Sequence, residues 1–211
     1  MSAARTLGGV EIISVDSMAV YRGMDIGTAT PSQADREAVP HHLIDILEPS
    51  DECTVGLFQG AEKVAEAGIV ERGSLPLLVG GTGLYHRAVI DDLDIPGQHP
   101  EIREGLEHEA ETLGATALHG RLTELDPVGA SRIEPANLRR TIRALEVTLG
   151  EGRPFSSFGP GLESYGLSRM LQVGIDPGPE AIRNRIKARV EGWAEGSLLE
   201  EVQALSDGGQ K

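Results

Sequence analysis

Two short apolar runs, each spilling into a loop of chemistry-bearing residues, constrain this chain more than anything else in it. The first, Val10–Val15, is β-branched and runs directly into Asp16 and Ser17. The second, Leu75–Val79 in "LPLLV", runs into Gly80, Gly81, Thr82 and Gly83. Runs this short with no polar alternation predict buried strands of a parallel sheet. Between them, Thr54 to Arg72 predicts a helix, with Phe58, Ala61, Val64, Ala65 and Ile69 at helical spacing and Gly73 as its stop. The stretch "GGTGLYHRAVI" behind the second run turns into another helix. Strand, helix, strand, helix in this order predicts an α/β core on a parallel sheet.

The rest of the chain adds to that core and interrupts it. Leu43–Ile46, inside "PHHLIDILEPSD", reads as a further short strand, and His41 and His42 before it read as loop residues. Adjacent histidines do not readily share one metal, and no HExxH or Cys/His spacing accompanies them. After "DDLDIPGQHP", residues from about Glu101 to Gly150 hold three helical patterns and no strand-like run. A loop, "EGRPFSSFGPGLESYG", follows. Met170–Ile175 then returns to a strand, and Pro179 opens a last helix as a first-turn proline. A helical block bracketed by strands reads as an insertion. The expected layout is a core of residues 1–92 and 169–211 around a helical subdomain of residues 93–168.

In open α/β sheets, ligands bind beyond the carboxyl ends of the strands. Asp16 there suits a general base, the orientation of a metal-bound water, or simple turn capping. Gly80 to Gly83 let the backbone approach a ligand, with free amides at the start of a helix and the Thr82 hydroxyl beside them. The loop is not a dinucleotide fingerprint, because His86 stands where a third glycine belongs.

Nineteen basic against 33 acidic residues give a formal charge of −14, which excludes a generally cationic nucleic-acid binder. Any such activity must rest on a local cluster. Leu138–Leu149, capped by Asn137 and stopped by Gly150, predicts a helix with an apolar stripe of Leu138, Ile142, Leu145 and Leu149. Arg139, Arg140 and Arg143 fall on its flank and back, as a solvated face or as a match for a phosphate backbone. In the last helix, Ile182, Ile186, Val190 and Trp193 form a stripe that Arg185 and Arg189 border, while Arg183 and Lys187 project away. Arginines beside a buried face need an anionic partner. A diphosphate would serve, and so would a carboxylate such as Asp45 or Glu191. No apolar run approaches the roughly 20 residues that span a bilayer. One cysteine, Cys53, allows no internal disulfide, and residues 1–11 lack the pattern of a secretory signal, so a cytoplasmic setting is expected.

The segments "ISVDSMAVYRGMDIGTATP", "VPHHLIDI", "PLLVGGTGLYHRAVIDDL" and "RRTIRALEV", with "RIKARV" before "EEVQAL", together resemble the tRNA dimethylallyltransferase (tRNA isopentenyltransferase) family in order and over nearly the whole chain. The resemblance implies a P-loop-kinase-like parallel-sheet core with an inserted all-helical subdomain, acting as a cytoplasmic monomer. It implies transfer of a dimethylallyl group from dimethylallyl diphosphate to N6 of adenosine 37 in tRNA, with Mg²⁺ as cofactor. By it, Asp16 is the general base and Thr82 binds the bridging oxygen of the leaving group. Arg185, Arg189, Gly81 and Gly83 hold the diphosphate. Asp16, Ser17, Met18 and Ala19, and Arg139, Arg140, Thr141, Ile142 and Arg143, contact tRNA. Ala19 stands where the family often has glutamine, and Thr30 where it often has lysine. The family's phosphate loop, G-x-x-x-x-G-K-[ST], occurs nowhere in the 211 residues. Its further C-terminal helices are missing too, so impaired transfer is the expectation. A nucleotide-dependent phosphotransferase and a non-catalytic RNA- or partner-binding chain stand as alternatives.

Overall fold

The computed structural model of the chain describes residues 2–159, 170–195 and 198–208. Two compact units divide it, Met1–Ile90 with Ser168–Lys211, and Asp91–Leu167. The first unit runs α1 (Ser2–Leu7), β1 (Val10–Val15), α2 (Asp25–Thr28), α3 (Gln33–Ala38), β2 (His41–His42), α4 (Val55–Glu71), β3 (Leu75–Gly80) and α5 (Gly83–Ile90). The three strands are parallel in the order β2-β1-β3, so β1 is the middle strand and all six of its residues are buried.

Strand alternation distributes the core to both faces. Val10 and Ile12 pack with Leu77, Val39 and Ala4 of α1. Ile13 and Val15 face the other way, onto Leu78, Phe58 and Ile69 of α4, and Tyr85 and Val89 of α5. The rings of Phe58 and Tyr85 meet with centroids 4.6 Å apart. The ends of α4 follow from its sequence. The Thr54 hydroxyl accepts from the Leu57 amide at 3.1 Å, and Gly73, at φ +73°, turns the chain out after Arg72.

Several elements differ from what the sequence predicts. The strand read at Leu43–Ile46 lies two residues earlier, at His41–His42, because Leu43 and Asp45 adopt φ of +62° and +55°, which no strand accommodates. Met170–Ile175 forms no strand, and Leu171, Val173 and Ile175 are exposed. A strand exists only by pairing, and this run pairs with none of the described strands. In α4, Val64 faces solvent while Gln59 and Glu62 are buried, with Gln59 Nε2 donating to the Ala88 carbonyl at 2.7 Å. Leu75 and Val79 of β3 are also exposed, since β1 is its one strand neighbour among the described residues.

The second unit is helical: α6 (Pro100–Leu113), α7 (Ala115–Leu125), α8 (Pro127–Ala130), α9 (Leu138–Glu151) and a 3₁₀ turn at Phe155–Ser157. Leu106, Leu118, Leu122, Ile142 and Leu145 form its centre. Four helices stand where the sequence showed three patterns, the extra one being a single turn that Asp126 caps through the Gly129 amide. Helix α9 runs through Gly150 and ends at Gly152, which takes the left-handed φ of +67° that a C-terminal glycine supplies. The first unit closes with α10 (Gly178–Glu195) and α11 (Leu198–Asp207). The stripe of α10 is not buried as predicted. Ile182, Ile186 and Val190 are exposed, and among its described side chains Arg189 and Trp193 tie the helix to α2. No helix among the described residues is long and apolar enough to cross a membrane.

Two carboxyls in the first unit carry opposite pH signatures. Arg72 grips Glu11 in two bonds of 3.1 and 2.7 Å and His42 adds a third contact, which holds the Glu11 carboxyl down at about 2. Burial pushes Glu62 up to about 7, and its Oε1 has no partner. Glu11 therefore stabilises the fold above its unfolded value of 4.5, and this contribution is lost as pH falls towards 2. Glu62 has the opposite sign: stability is full below 4.5 and lost as pH rises through 7. Urea unfolding should show Glu62→Gln equal to the parent at pH 4 and more stable by about 3 kcal/mol at pH 8. Equal stability at pH 8 would show that Glu62 ionises freely in the fold.

Candidate functional site

The carboxyl ends of β1 and β3 lie side by side, paired Val15 to Gly80. A Cβ on Gly80 would collide with the Val15 backbone, so only glycine closes the ladder there. The Val15 carbonyl then accepts the Thr82 amide at 3.4 Å, and the Thr82 hydroxyl accepts the Ser17 amide at 3.2 Å. Two loops 65 residues apart in sequence are thus joined. Because Thr82 Oγ1 accepts from Ser17, its own O–H remains a donor.

Asp16 follows β1 half-exposed. Its Oδ1 accepts the amides of Met18 at 2.8 Å and Ala19 at 3.3 Å, a turn-capping arrangement that fixes the plane of the carboxylate. Capping and proton acceptance are compatible, since the same carboxylate has a second oxygen. Met18 is exposed and Ala19 buried, so Asp16, Ser17 and Met18 are the members of this segment that a ligand can reach. Gly81 and Gly83 have ordinary φ, and a Cβ on either would meet nothing within 4 Å. Nothing within the described chain demands glycine at these two positions, which leaves room for close approach by another molecule.

In the same unit, α2 is held by the C-terminal helices. Glu201 accepts the amides of Asp25, Ile26 and Gly27 at 2.8, 2.7 and 3.0 Å. Trp193 Nε1 donates to the Ile26 carbonyl at 3.1 Å, and Arg189 Nη2 to the Gly27 carbonyl at 2.7 Å. The Arg189 guanidinium also sits 5.0 Å from the Trp193 ring centre. Arg185, one turn earlier, is exposed without a partner among the described residues. The carboxylates that could have paired with these arginines are taken: Asp45 by Arg36 and Glu191 by Lys187. Sequence reasoning missed Glu201, and no local signal could have found it, for its amide partners lie 174–176 residues away.

In the helical unit, Asn137 caps α9 by accepting the Arg140 amide at 3.2 Å. Arg139 and Arg140 are exposed in its first turn. Thr141 and Ile142 are buried, and Arg143 is bonded to Glu146 and to the carbonyls of Pro96 and Gly97. Of the five residues in this segment, two present free side chains.

A family model described as IPP transferase matches residues 19–211. The tRNA dimethylallyltransferase of Kineococcus radiotolerans is 48% identical over 92% of this chain and 61% of its own length. That of Roseiflexus sp. is 44% identical over 94% and 65%. Among solved structures, the full-length tRNA isopentenylpyrophosphate transferase of Bacillus halodurans is 38% identical, with a TM-score of 0.60 over 98% of this chain and 64% of that one. A eukaryotic dimethylallyltransferase acting on tRNA shares the fold at 24% identity, with a TM-score of 0.75 over 96% of this chain and 50% of that one. The chain thus spans less than two thirds of the length of these relatives.

Replacing Thr82 by valine should accelerate exchange of the Ser17 amide while shifting the unfolding free energy by about 0.5–1.5 kcal/mol. Thr82→Ser should restore the protection. Unchanged exchange at Ser17 in the valine variant would show that the two loops are not joined through this hydroxyl.

Proposed function

The chain belongs to the IPP transferase family, and on that footing we propose that it transfers a dimethylallyl group from dimethylallyl diphosphate to N6 of adenosine 37 in the anticodon loop of tRNA. The observation that carries the proposal is the junction of strand ends at which Asp16 and Thr82 flank the Ser17 amide. An exocyclic amine is a weak nucleophile, so alignment and proton removal govern the step. Asp16 accepts the N6 proton as the nitrogen lone pair forms the bond to C1 of the dimethylallyl group. The C1–oxygen bond breaks, and its electron pair departs on the diphosphate. The Thr82 hydroxyl donates to the bridging oxygen as charge grows there.

The amides at Gly81 and Gly83 and the guanidinium groups of Arg185 and Arg189 hold the diphosphate in this reading. Arg189 does so from a position already braced on Gly27 and Trp193. Mg²⁺ is the cofactor that the family reading implies, although the phosphate loop with its hydroxyl occurs nowhere in the 211 residues. Among the described residues no group of three or more His, Cys, Asp and Glu forms a cage for it. When bound, it would neutralise diphosphate charge. The anticodon loop meets Asp16, Ser17 and Met18 with its adenine splayed out, which costs less in a single-stranded loop than in a duplex. Residues 93–168 serve as the tRNA-binding subdomain and the enzyme works as a cytoplasmic monomer, both on the family reading.

Single-turnover transfer of labelled dimethylallyl to an anticodon stem-loop tests this. Label should appear on N6, and Asp16→Asn should lower the rate about 10²–10⁴-fold. Thr82→Val should lower it about 10²–10³-fold, with Thr82→Ser retaining most of it. ATP turnover without prenyl transfer would replace the proposal by a phosphotransferase. Stem-loop binding without product, indifferent to both substitutions, would replace it by a non-catalytic binder.

A further inference from the structure

The three arginines at the start of α9 are not equivalent. Arg139 and Arg140 are exposed and have no partner among the described residues. Arg143 is spent. Its Nη1 donates to Glu146 Oε1 at 2.9 Å and to the Gly97 carbonyl at 3.0 Å, and its Nη2 donates to the Pro96 carbonyl at 2.9 Å. The carboxylate it meets is fully buried and further committed. Glu146 Oε1 also accepts the His99 amide at 2.7 Å, and Oε2 accepts Nε and Nη2 of Arg103 at 3.0 and 2.9 Å. These donors hold the Glu146 carboxyl below its ordinary range in spite of its burial.

One turn further along the same side, Gly150 lets the His99 ring lie against the helix; a methyl group there would collide with it. Glu151 then accepts the Gly97 amide at 3.1 Å and stands 3.3 Å from His99 Nε2. The segment 96–99 is therefore bound along α9 by Arg143, Glu146, Gly150 and Glu151. His99 is the residue immediately before Pro100, where α6 begins, so these bonds also set where α6 leaves α9. Three of the five N–H groups of Arg143 are thereby taken by one carboxylate and two carbonyls, which turns its fork towards segment 96–99.

We infer that Arg143 is a positioning residue that clasps the entry segment 96–99 to α9, and that RNA contact within residues 139–143 falls to Arg139 and Arg140. The second half of this rests on the proposed tRNA reading; the first half does not.

The test pairs amide hydrogen exchange at Gly97 and His99 with the salt dependence of anticodon stem-loop binding. Each lost phosphate contact lowers the slope of log K against log salt by about 0.7–0.9. Arg139→Ala and Arg140→Ala should each lower the slope by that amount and leave exchange at Gly97 and His99 unchanged. Arg143→Ala should leave the slope unchanged and speed both amides by about tenfold or more. Arg143→Lys keeps the charge but cannot span the three acceptors, so both amides should still exchange faster. Gly150→Ala displaces His99 without touching Arg143 and should reproduce the exchange effect at full slope. A slope lowered by Arg143→Ala with exchange unaltered would overturn the inference. Should the parent chain bind no RNA, the tRNA reading fails by itself. The exchange arm then decides the clasp: faster amides in Arg143→Ala support it, and unchanged ones refute it.

Discussion

The carbonyl of Val15, with Gly80 pressed against it, is the contact on which the chemistry of this fold depends. Only a residue without a Cβ can complete the β1–β3 ladder at that point. The same carbonyl receives the Thr82 amide, which aims the Thr82 hydroxyl at Ser17. A parallel pair one residue shorter, or with a bulkier last residue, would leave the two loops independent. Instead a carboxylate and a hydroxyl from distant parts of the sequence share one strand end, with open backbone beside them at Gly81 and Gly83.

The acidic excess of the chain has a structural use as well as a solvated one. Glu11, Asp126, Glu146 and Glu201 are each surrounded by donors: guanidinium groups for Glu11 and Glu146, and backbone amides for Asp126, Glu146 and Glu201. Such carboxylates fix the chain where regular secondary structure ends, because the free amides of turns and helix starts must find acceptors. Glu201 does this for α2, and Glu146 for the entry to α6. Arg139, Arg140 and Arg185 are left exposed, without partners among the described residues, as cations that can serve a ligand. A net charge of −14 therefore coexists with exposed arginines in each unit that no described carboxylate pairs.

Short apolar runs located β1 and β3, and helical spacing of apolar residues located α4 and α9, because each signal is imposed by the element's own geometry. Such signals failed where geometry comes from elsewhere. A two-residue strand such as His41–His42 has no period to detect. Met170–Ile175 has the composition of a strand but pairs with none of the described strands, and of the apolar stripe of α10 only Trp193 is half-buried among the described residues. The position of Gly150 suggested a helix stop, yet its missing side chain makes room for His99 while Gly152 ends the helix. For the site, the carboxyl-end rule and the glycine run pointed to Asp16 and Thr82 without help from packing. The commitment of Arg143 was not legible, because its acceptors at Pro96 and Gly97 belong to a loop 46 and 47 residues away.

The strand-end site is tested most directly by following backbone amide resonances while dimethylallyl diphosphate is added to the protein. A ligand held between Asp16 and Thr82 should shift the amides of Ser17, Gly81, Thr82 and Gly83 together, along one saturating curve. Those of the Gly97–His99 segment, in the other unit, should stay in place. Shifts that spare all four strand-end amides while saturating elsewhere in the chain would contradict the assignment of this junction as the site of prenyl transfer.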